Sequence, residues 1–247
     1  MRQSPFSLEG KNIMITGASS GLGESVAIEC SESKARLHIA GRNEEKLDQT
    51  FNQLNGDNHS KFSFDLASTE DILNFCSELP SLDGLVLCAG ITKSIPVKHV
   101  STSLVNEIFQ TNIFGSIQII QTLLKQKKIN KNASIVFISS ISTTYADKGN
   151  SIYSASKGAI NSFSRGLALE LAVRGITSNC IEPGFISSDL LIAGTITEEQ
   201  IREEEKRYPL GFGQPTDIAN AAIYLLSDAS RWMTGSVMRI DGGVTLK

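Results

Sequence analysis

Short, mostly apolar runs alternate along the chain with longer stretches in which apolar residues return every three or four positions. The runs Asn12–Thr16, Arg36–Ala40, Lys61–Phe64, Leu82–Cys88, Ser134–Ile138, Ile176–Ile181 and Ser236–Ile240 predict strands. Leu22–Ser33, Glu44–Leu54, Ser68–Leu79, Ser101–Lys127, Ser151–Val173 and Thr216–Leu226 predict helices, the long 101–127 one with Gly115 inside it. Strands that are apolar throughout belong to a sheet covered on both faces, and alternation with helices makes that sheet parallel. Right-handed crossovers then wind it in two directions. The expectation is an α/β protein: a doubly wound parallel sheet of about seven strands with helices on both faces. No repeat, low-complexity tract or Pro/Gly-rich linker divides the sequence, so residues 1–247 read as one domain. The one shift in composition is Gly194–Arg207, with acidic residues concentrated from Glu198 to Glu205. It reads as a solvated helix face or as a flap beside a ligand site.

Composition narrows the function without naming one. A chain of 247 residues is long enough to bury a single core. Its 40% hydrophobic and 20% charged residues are the balance of a folded protein. A net charge of -3 leaves no basic excess for nucleic acid. No apolar run reaches the roughly 20 residues that cross a bilayer. The opening MRQSPFSLEGK lacks the apolar stretch of a signal peptide, so the expected location is cytoplasmic. Cys30, Cys76, Cys88 and Cys180 are scattered, and His38, His59 and His99 stand alone, so neither a redox pair nor a metal site is expected.

Directly after the first strand comes Thr16-Gly17-Ala18-Ser19-Ser20-Gly21-Leu22-Gly23. Glycines let the backbone turn sharply and pass close to a pyrophosphate. A helix opening near Leu22 would aim its free N–H groups and positive dipole end at that phosphate. Three glycines alone are ordinary turn chemistry; their place between a strand and a helix points to a dinucleotide. Further on, Tyr153-Ser-Ala-Ser-Lys157 sets a phenol and an ammonium on one face of a helix. Ser140 follows the fifth strand, and Asn112 lies in Thr111-Asn-Ile-Phe-Gly115.

The GxxxGxG spacing after Thr16, with Asn112, Ser140, Tyr153 and Lys157, resembles the short-chain dehydrogenase/reductase family, and the likeness runs from Lys11 to Gly243. The resemblance implies a single-domain Rossmann fold binding a nicotinamide cofactor, with Gly17, Ser19, Ser20, Gly21, Leu22 and Gly23 at the pyrophosphate. In members similar to this chain, an arginine where Arg42 stands goes with NADP(H), since a guanidinium pairs with phosphate in a bidentate way. Ser20 occupies a place where some NADP enzymes of the family carry a second basic residue, so one clamp residue is visible. Asp65-Leu66 matches the pair beside the adenine. Leu87-Cys88-Ala89-Gly90 replaces the usual Asn-Asn-Ala-Gly, and Cys88 reads as a small buried apolar residue rather than a nucleophile. Pro183-Gly184 corresponds to the turn that selects the nicotinamide face, with Ile186 at the carboxamide and Ser188 in place of threonine. Residues of about 189–212 correspond to the substrate flap. In relatives the last strand and the two long helices make tetramer contacts, which implies a homotetramer.

Hydride transfer to a carbonyl builds negative charge on oxygen that must be stabilised and then protonated. The resemblance gives Tyr153 the role of general acid/base, with the Lys157 cation favouring its tyrosinate form. Lys157 and Tyr153 also belong to the cofactor contacts, Lys157 through the nicotinamide ribose. Ser140 would orient the substrate oxygen. Asn112 would anchor a water that relays protons to Lys157. Within the family the chain looks most like the bacterial 3-oxoacyl-(acyl carrier protein) reductases, in Ala89-Gly-Ile-Thr92, Arg174-Gly-Ile-Thr177 and Pro183-Gly-Phe-Ile186. Lys127, Lys128 and Arg174 occupy places where such reductases meet the acidic carrier, or are solvated helix ends. Phe212 stands where Pro-Leu-Gly-Arg is common. A small carbonyl or alcohol substrate, free or on acyl carrier protein, is therefore expected, with a sugar or polyol dehydrogenase as the alternative. A non-catalytic NADP(H)-binding protein is the alternative from another class, and the presence of Ser140, Tyr153 and Lys157 tells against it.

Overall fold

The computed structural model describes residues 4–187 and 198–246. Seven strands form one sheet: β1 Asn12–Thr16, β2 Arg36–Gly41, β3 Ser60–Ser63, β4 Leu82–Leu87, β5 Ile129–Ile138, β6 Thr177–Pro183 and β7 Val237–Ile240. Their order is β3-β2-β1-β4-β5-β6-β7, and every neighbouring pair is parallel. The helices are α1 Gly21–Glu32, α2 Glu44–Phe51, α3 Thr69–Glu78, α4 Thr102–Phe109, α5 Gly115–Lys125, α6 Ser151–Leu171, α7 Glu198–Glu205 and α8 Pro215–Leu226. None of the described helices is long and apolar enough to cross a membrane.

The continuous hydrophobicity of the strands has its cause in the two cores. In β1, Ile13 and Ile15 pack with Val26 and Ala27 of α1 and Leu225 and Leu226 of α8. Met14, between them, points to the other side, among Ile72 and Phe75 of α3 and Ile119 of α5. The same split recurs in β5, where Ile135 and Phe137 enter one core and Val136 and Ile138 the other. Successive apolar positions of these central strands are thus buried by one helical layer or the other.

Two elements differ from expectation. The helix expected over 101–127 is α4 and α5 joined by a π turn, Gln110–Phe114, with Asn112 at its centre. π turns are rare and interrupt the regular hydrogen-bond ladder. Strand β5 begins at Ile129, earlier than expected, because Asn130-Lys-Asn132 conceals its start. Ile129 pairs with Leu82, and the register shifts before Ser134 pairs with Gly84. The chain winds in opposite directions from β1 and from β4, so a crevice opens at the carboxyl ends of these two strands.

Candidate active site

That crevice widens into a cleft of about 890 Å3 to which the ends of β1, β2, β5 and β6 all contribute. The loop after β1 forms one end. Gly17 has φ +70°, and a Cβ there would lie 2.8 Å from the Cα of Ala89, so glycine lets this loop press against the segment after β4. At Gly21, with φ +59°, nothing lies within 4 Å of where a Cβ would be. Ser20 caps α1 with extended backbone and no side-chain hydrogen bond, which leaves the first turn of a twelve-residue helix with free donors. Uncapped donors beside open space suit the pyrophosphate of a dinucleotide. Ser19, Leu22 and Gly23 line the cleft with them.

The neighbouring wall carries Arg42 and, one turn into α2, Lys46. Asn43 caps α2 by accepting from Lys46 N at 2.9 Å. A cation in the first turn opposes the helix dipole, and neither side chain has an ion-pair partner among the described residues. Two cations on one cleft wall suit an anionic group, and Lys46 adds to the arginine singled out from the sequence. Asp65 and Leu66 line the cleft beside them.

Beyond β4, Cys88, Ala89 and Gly90 continue the lining. Leu87, a core residue, and Cys88 stand where the resemblance expects an asparagine pair, and Ala89 N donates to the Thr16 hydroxyl at 3.4 Å. Burial pushes the Cys88 thiol up to about 11, with the Lys157 cation pulling the other way. Burial likewise raises Cys30 and Cys76 to about 12 and Cys180 to about 11.

Helix α6 brings Tyr153 and Lys157 to the centre of the cleft. Lys157 is only 4% exposed; its Nζ donates to the Ile138 carbonyl at 2.8 Å and lies 5.8 Å from the Tyr153 ring centre. Ser140, just after β5, lines the same space and accepts from Ser142 N at 3.2 Å, capping the turn Ile141–Thr143. Asn112 stands behind the wall rather than in it. Its Oδ1 accepts from Ile91 N at 2.7 Å, and its Nδ2 donates to Ile91 O at 2.9 Å and Ser156 Oγ at 3.0 Å. Gly90 separates it from Lys157: a Cβ on Gly90 would meet Lys157 Nζ at 3.2 Å and Asn112 Oδ1 at 3.3 Å. Pro183, Gly184 and Ile186 complete the wall, and Ile186 is held by a bridge to Gly213. Ser188 lies outside the described residues, as does the 189–197 part of the expected flap.

The end of the cleft beyond Tyr153 was not anticipated. Ile141, Tyr145, Phe185 and Tyr208 line it. Phe212, where relatives carry arginine, stacks on Phe185 at 4.7 Å and meets Tyr208 edge-on at 5.2 Å. Burial pushes the Tyr208 phenol up to about 12. The polar lining here is Ser94, Ser142, Asn150 and Asp147, and Asp147 is its one charge besides Lys157 among the described residues. Arg207 does not line the cleft; it donates to the Tyr145 hydroxyl and holds both oxygens of Glu204. These residues come from separate loops, and no sequence periodicity joins them.

Of the three cations read as carrier contacts or helix ends, Lys128 and Arg174 bond to main-chain carbonyls. Lys128 Nζ donates to the carbonyls of Cys76, Ser77 and Leu79 at 3.0, 2.7 and 2.6 Å, closing the end of α3. Arg174 donates to the Ile129 carbonyl. Both sit near the start of β5, at the end of the sheet opposite the cleft, where they stabilise helix and strand ends.

Comparison with known proteins follows this geometry. A family model described as enoyl-(acyl carrier protein) reductase matches residues 17–245. A 3-oxoacyl-(acyl carrier protein) reductase FabG of Rickettsia bellii is 33% identical over 240 residues, 97% of this chain and 98% of the relative. A 3-oxoacyl-(acyl carrier protein) reductase of Bos taurus is 35% identical over 237 residues, 94% and 97% of the two chains. Among solved structures, a candidate 2-deoxy-d-gluconate 3-dehydrogenase of Agrobacterium tumefaciens with bound NADP superimposes with a TM-score of 0.87 at 28% identity, covering 99% and 100% of the two chains. With its Rossmann sheet and its dinucleotide cleft, the chain is an oxidoreductase of the short-chain dehydrogenase/reductase family.

Proposed function

We propose that the protein reduces the ketone of a 3-oxoacyl thioester to a secondary alcohol with NADPH. The observation that carries this reading is the unequal charge of the two cleft ends. Arg42 and Lys46 supply a 2′-phosphate site at one end. The other end offers aromatic and aliphatic walls, with the Asp147 carboxylate and, among the described residues, no cation besides Lys157. The 189–197 part of the flap sequence carries no lysine or arginine, and Arg202, Lys206 and Arg207 in its remainder do not line the cleft. A sugar acid would find no counter-charge there, whereas an uncharged acyl chain finds apolar surface.

When bound, the reduced nicotinamide supplies a hydride to the carbonyl carbon. The Ser140 hydroxyl donates to the carbonyl oxygen and holds it near Tyr153. The Tyr153 hydroxyl passes its proton to that oxygen as charge develops. Lys157 stabilises the resulting tyrosinate and, from its anchor on Ile138, holds the ribose hydroxyls. Reprotonation of Tyr153 passes through Lys157 and a water held at the π turn around Asn112. Gly17 to Gly23 bind the pyrophosphate, Asp65 and Leu66 bracket the adenine, and Pro183, Gly184, Ile186 and Ser188 wall the nicotinamide. The acyl group is carried as a small thioester or on acyl carrier protein, in a single domain whose flap spans about 189–212. Exposed Leu169 on α6, Val173 in the turn that follows it and Trp232 before β7, the last 93% exposed, support a homotetramer.

A second reading, a polyol or sugar dehydrogenase, is favoured by one observation. Ser142 Oγ and Asn150 Oδ1 are buried without partners, and both residues line the substrate end. Substrate hydroxyls would satisfy them. NADPH oxidation with acetoacetyl thioesters, and with a panel of neutral and acidic keto sugars, separates the readings. Turnover on the thioester supports the reductase; turnover on keto sugars alone replaces it.

A further inference from the structure

We propose that Glu182 is a positioning residue for hydride transfer, its buried carboxylate holding the Ser140 turn and helix α6 in register with the Pro183-Gly184 wall. Glu182 is 2% exposed, at the end of β6 and directly before Pro183. Its Oε1 accepts from the Thr143 hydroxyl and from Asn161 Nδ2 at 2.8 Å. Its Oε2 accepts from Arg239 Nε at 3.3 Å and Nη2 at 3.1 Å. Thr143 ends the turn that Ser140 caps. Asn161 lies one helical turn beyond Lys157. Arg239, on β7, goes on to donate to Thr144 Oγ1 at 2.7 Å and Thr245 Oγ1 at 3.2 Å. One carboxylate therefore joins the three segments that carry the oxygen-orienting hydroxyl, the proton donor and the nicotinamide wall.

Neither Glu182 nor any of these partners lines the cleft, so the carboxylate acts through them. Stability alone does not require this arrangement, because a buried ion pair is commonly matched or bettered by apolar residues of the same volume. What an apolar cluster cannot supply is direction: each donor here fixes an angle as well as a distance. Small displacements between reacting groups cost large factors in rate.

Glu182→Gln tests the proposal. The new amide oxygen still accepts from Thr143 and Asn161, while its NH2 group faces Arg239 and breaks the register. The expected variant folds and binds NADPH within about threefold of wild type, and loses at least about tenfold in kcat with KM changed less than about threefold. Deuterium at the transferred position of NADPH should slow kcat more in the variant than in wild type. Hydrogen exchange across 139–145 should quicken while β1 and β4 stay protected. Thr143→Val, which removes one donor, should shift the same readouts less, and it decides the question if Glu182→Gln fails to fold. Unchanged kcat and exchange would overturn the proposal, as would a rate loss matched by an equal loss of NADPH-binding sites. The kinetic arm rests on the reductase reading. If wild type oxidises NADPH with no ketone, that reading fails, and the exchange measurement still decides the role of Glu182.

Discussion

Lys157 Nζ stands 5.8 Å from the centre of the Tyr153 ring while donating to the Ile138 carbonyl at the end of β5. The anchor to the sheet means that the cation cannot leave the phenol without breaking a buried bond. Tyr153→Phe is expected to fold, to bind NADPH, and to lose about 10²–10⁴-fold in turnover. Steady-state rates beside NADPH fluorescence titration check this; retained turnover removes Tyr153 from the mechanism.

The paired cations at the other end make a separate prediction. Arg42→Ala and Lys46→Ala should each weaken NADPH about tenfold while moving NADH affinity less than about twofold. Titration of both variants with both cofactors is sufficient. Equal losses for NADH would mean that the two side chains support the fold and not the 2′-phosphate.

At Gly17 the left-handed backbone and the 2.8 Å approach to Ala89 act together. Gly17→Ala should cost about 3 kcal/mol, combining backbone strain with overpacking. Denaturant unfolding measures it, and cofactor affinity should fall with it.

Lys128 offers a test of where a carrier does not bind. Lys128→Met leaves three carbonyls at the end of α3 without their donor, so stability should drop by about 2 kcal/mol. The KM for a small thioester should not change. A selective loss of activity on a carrier-bound substrate, with stability intact, would restore Lys128 to the docking surface.

His38 sets a pH dependence. Burial, with Arg36 and His59 adding to it, lowers this imidazole to about 4, and its Nε2 has no partner. Between pH 4 and the ordinary histidine value the unfolded chain binds the extra proton, so stability falls as pH falls through that window and is flat above it. In His38→Gln the loss of melting temperature between pH 7 and 5 should be shallower; an unchanged slope would assign it to other groups.

Much of this was legible before any coordinates. Strands β1, β4 and β6 read clearly because both faces of the sheet are covered. The cleft-lining segments after β1, β4 and β6 were legible because each follows a strand end, where the fold opens its crevice. Lys46 was hidden because in a helical pattern a lysine looks like ordinary solvated surface. The aromatic end escaped because Tyr145, Phe185, Tyr208 and Phe212 meet only after three separate loops have folded. Lys128 and Arg174 read equally as carrier contacts or as helix ends for a related reason: which carbonyls a cation reaches is decided by tertiary packing. The π turn at Asn112 was invisible in a pattern that reads equally well as one long α-helix.

The four thiols carry a last implication. A protein that handles reducing equivalents works where oxidants are also encountered, and a thiolate near the nicotinamide would be the first casualty. Burial of Cys30, Cys76 and Cys180 shields three thiols, and at Cys88, which lines the cleft, the same desolvation disfavours the thiolate, so sulfur offers peroxides and alkylating agents little to attack. Loss of activity under oxidative stress should therefore follow unfolding rather than precede it, so that the resilience of the catalyst is that of its sheet.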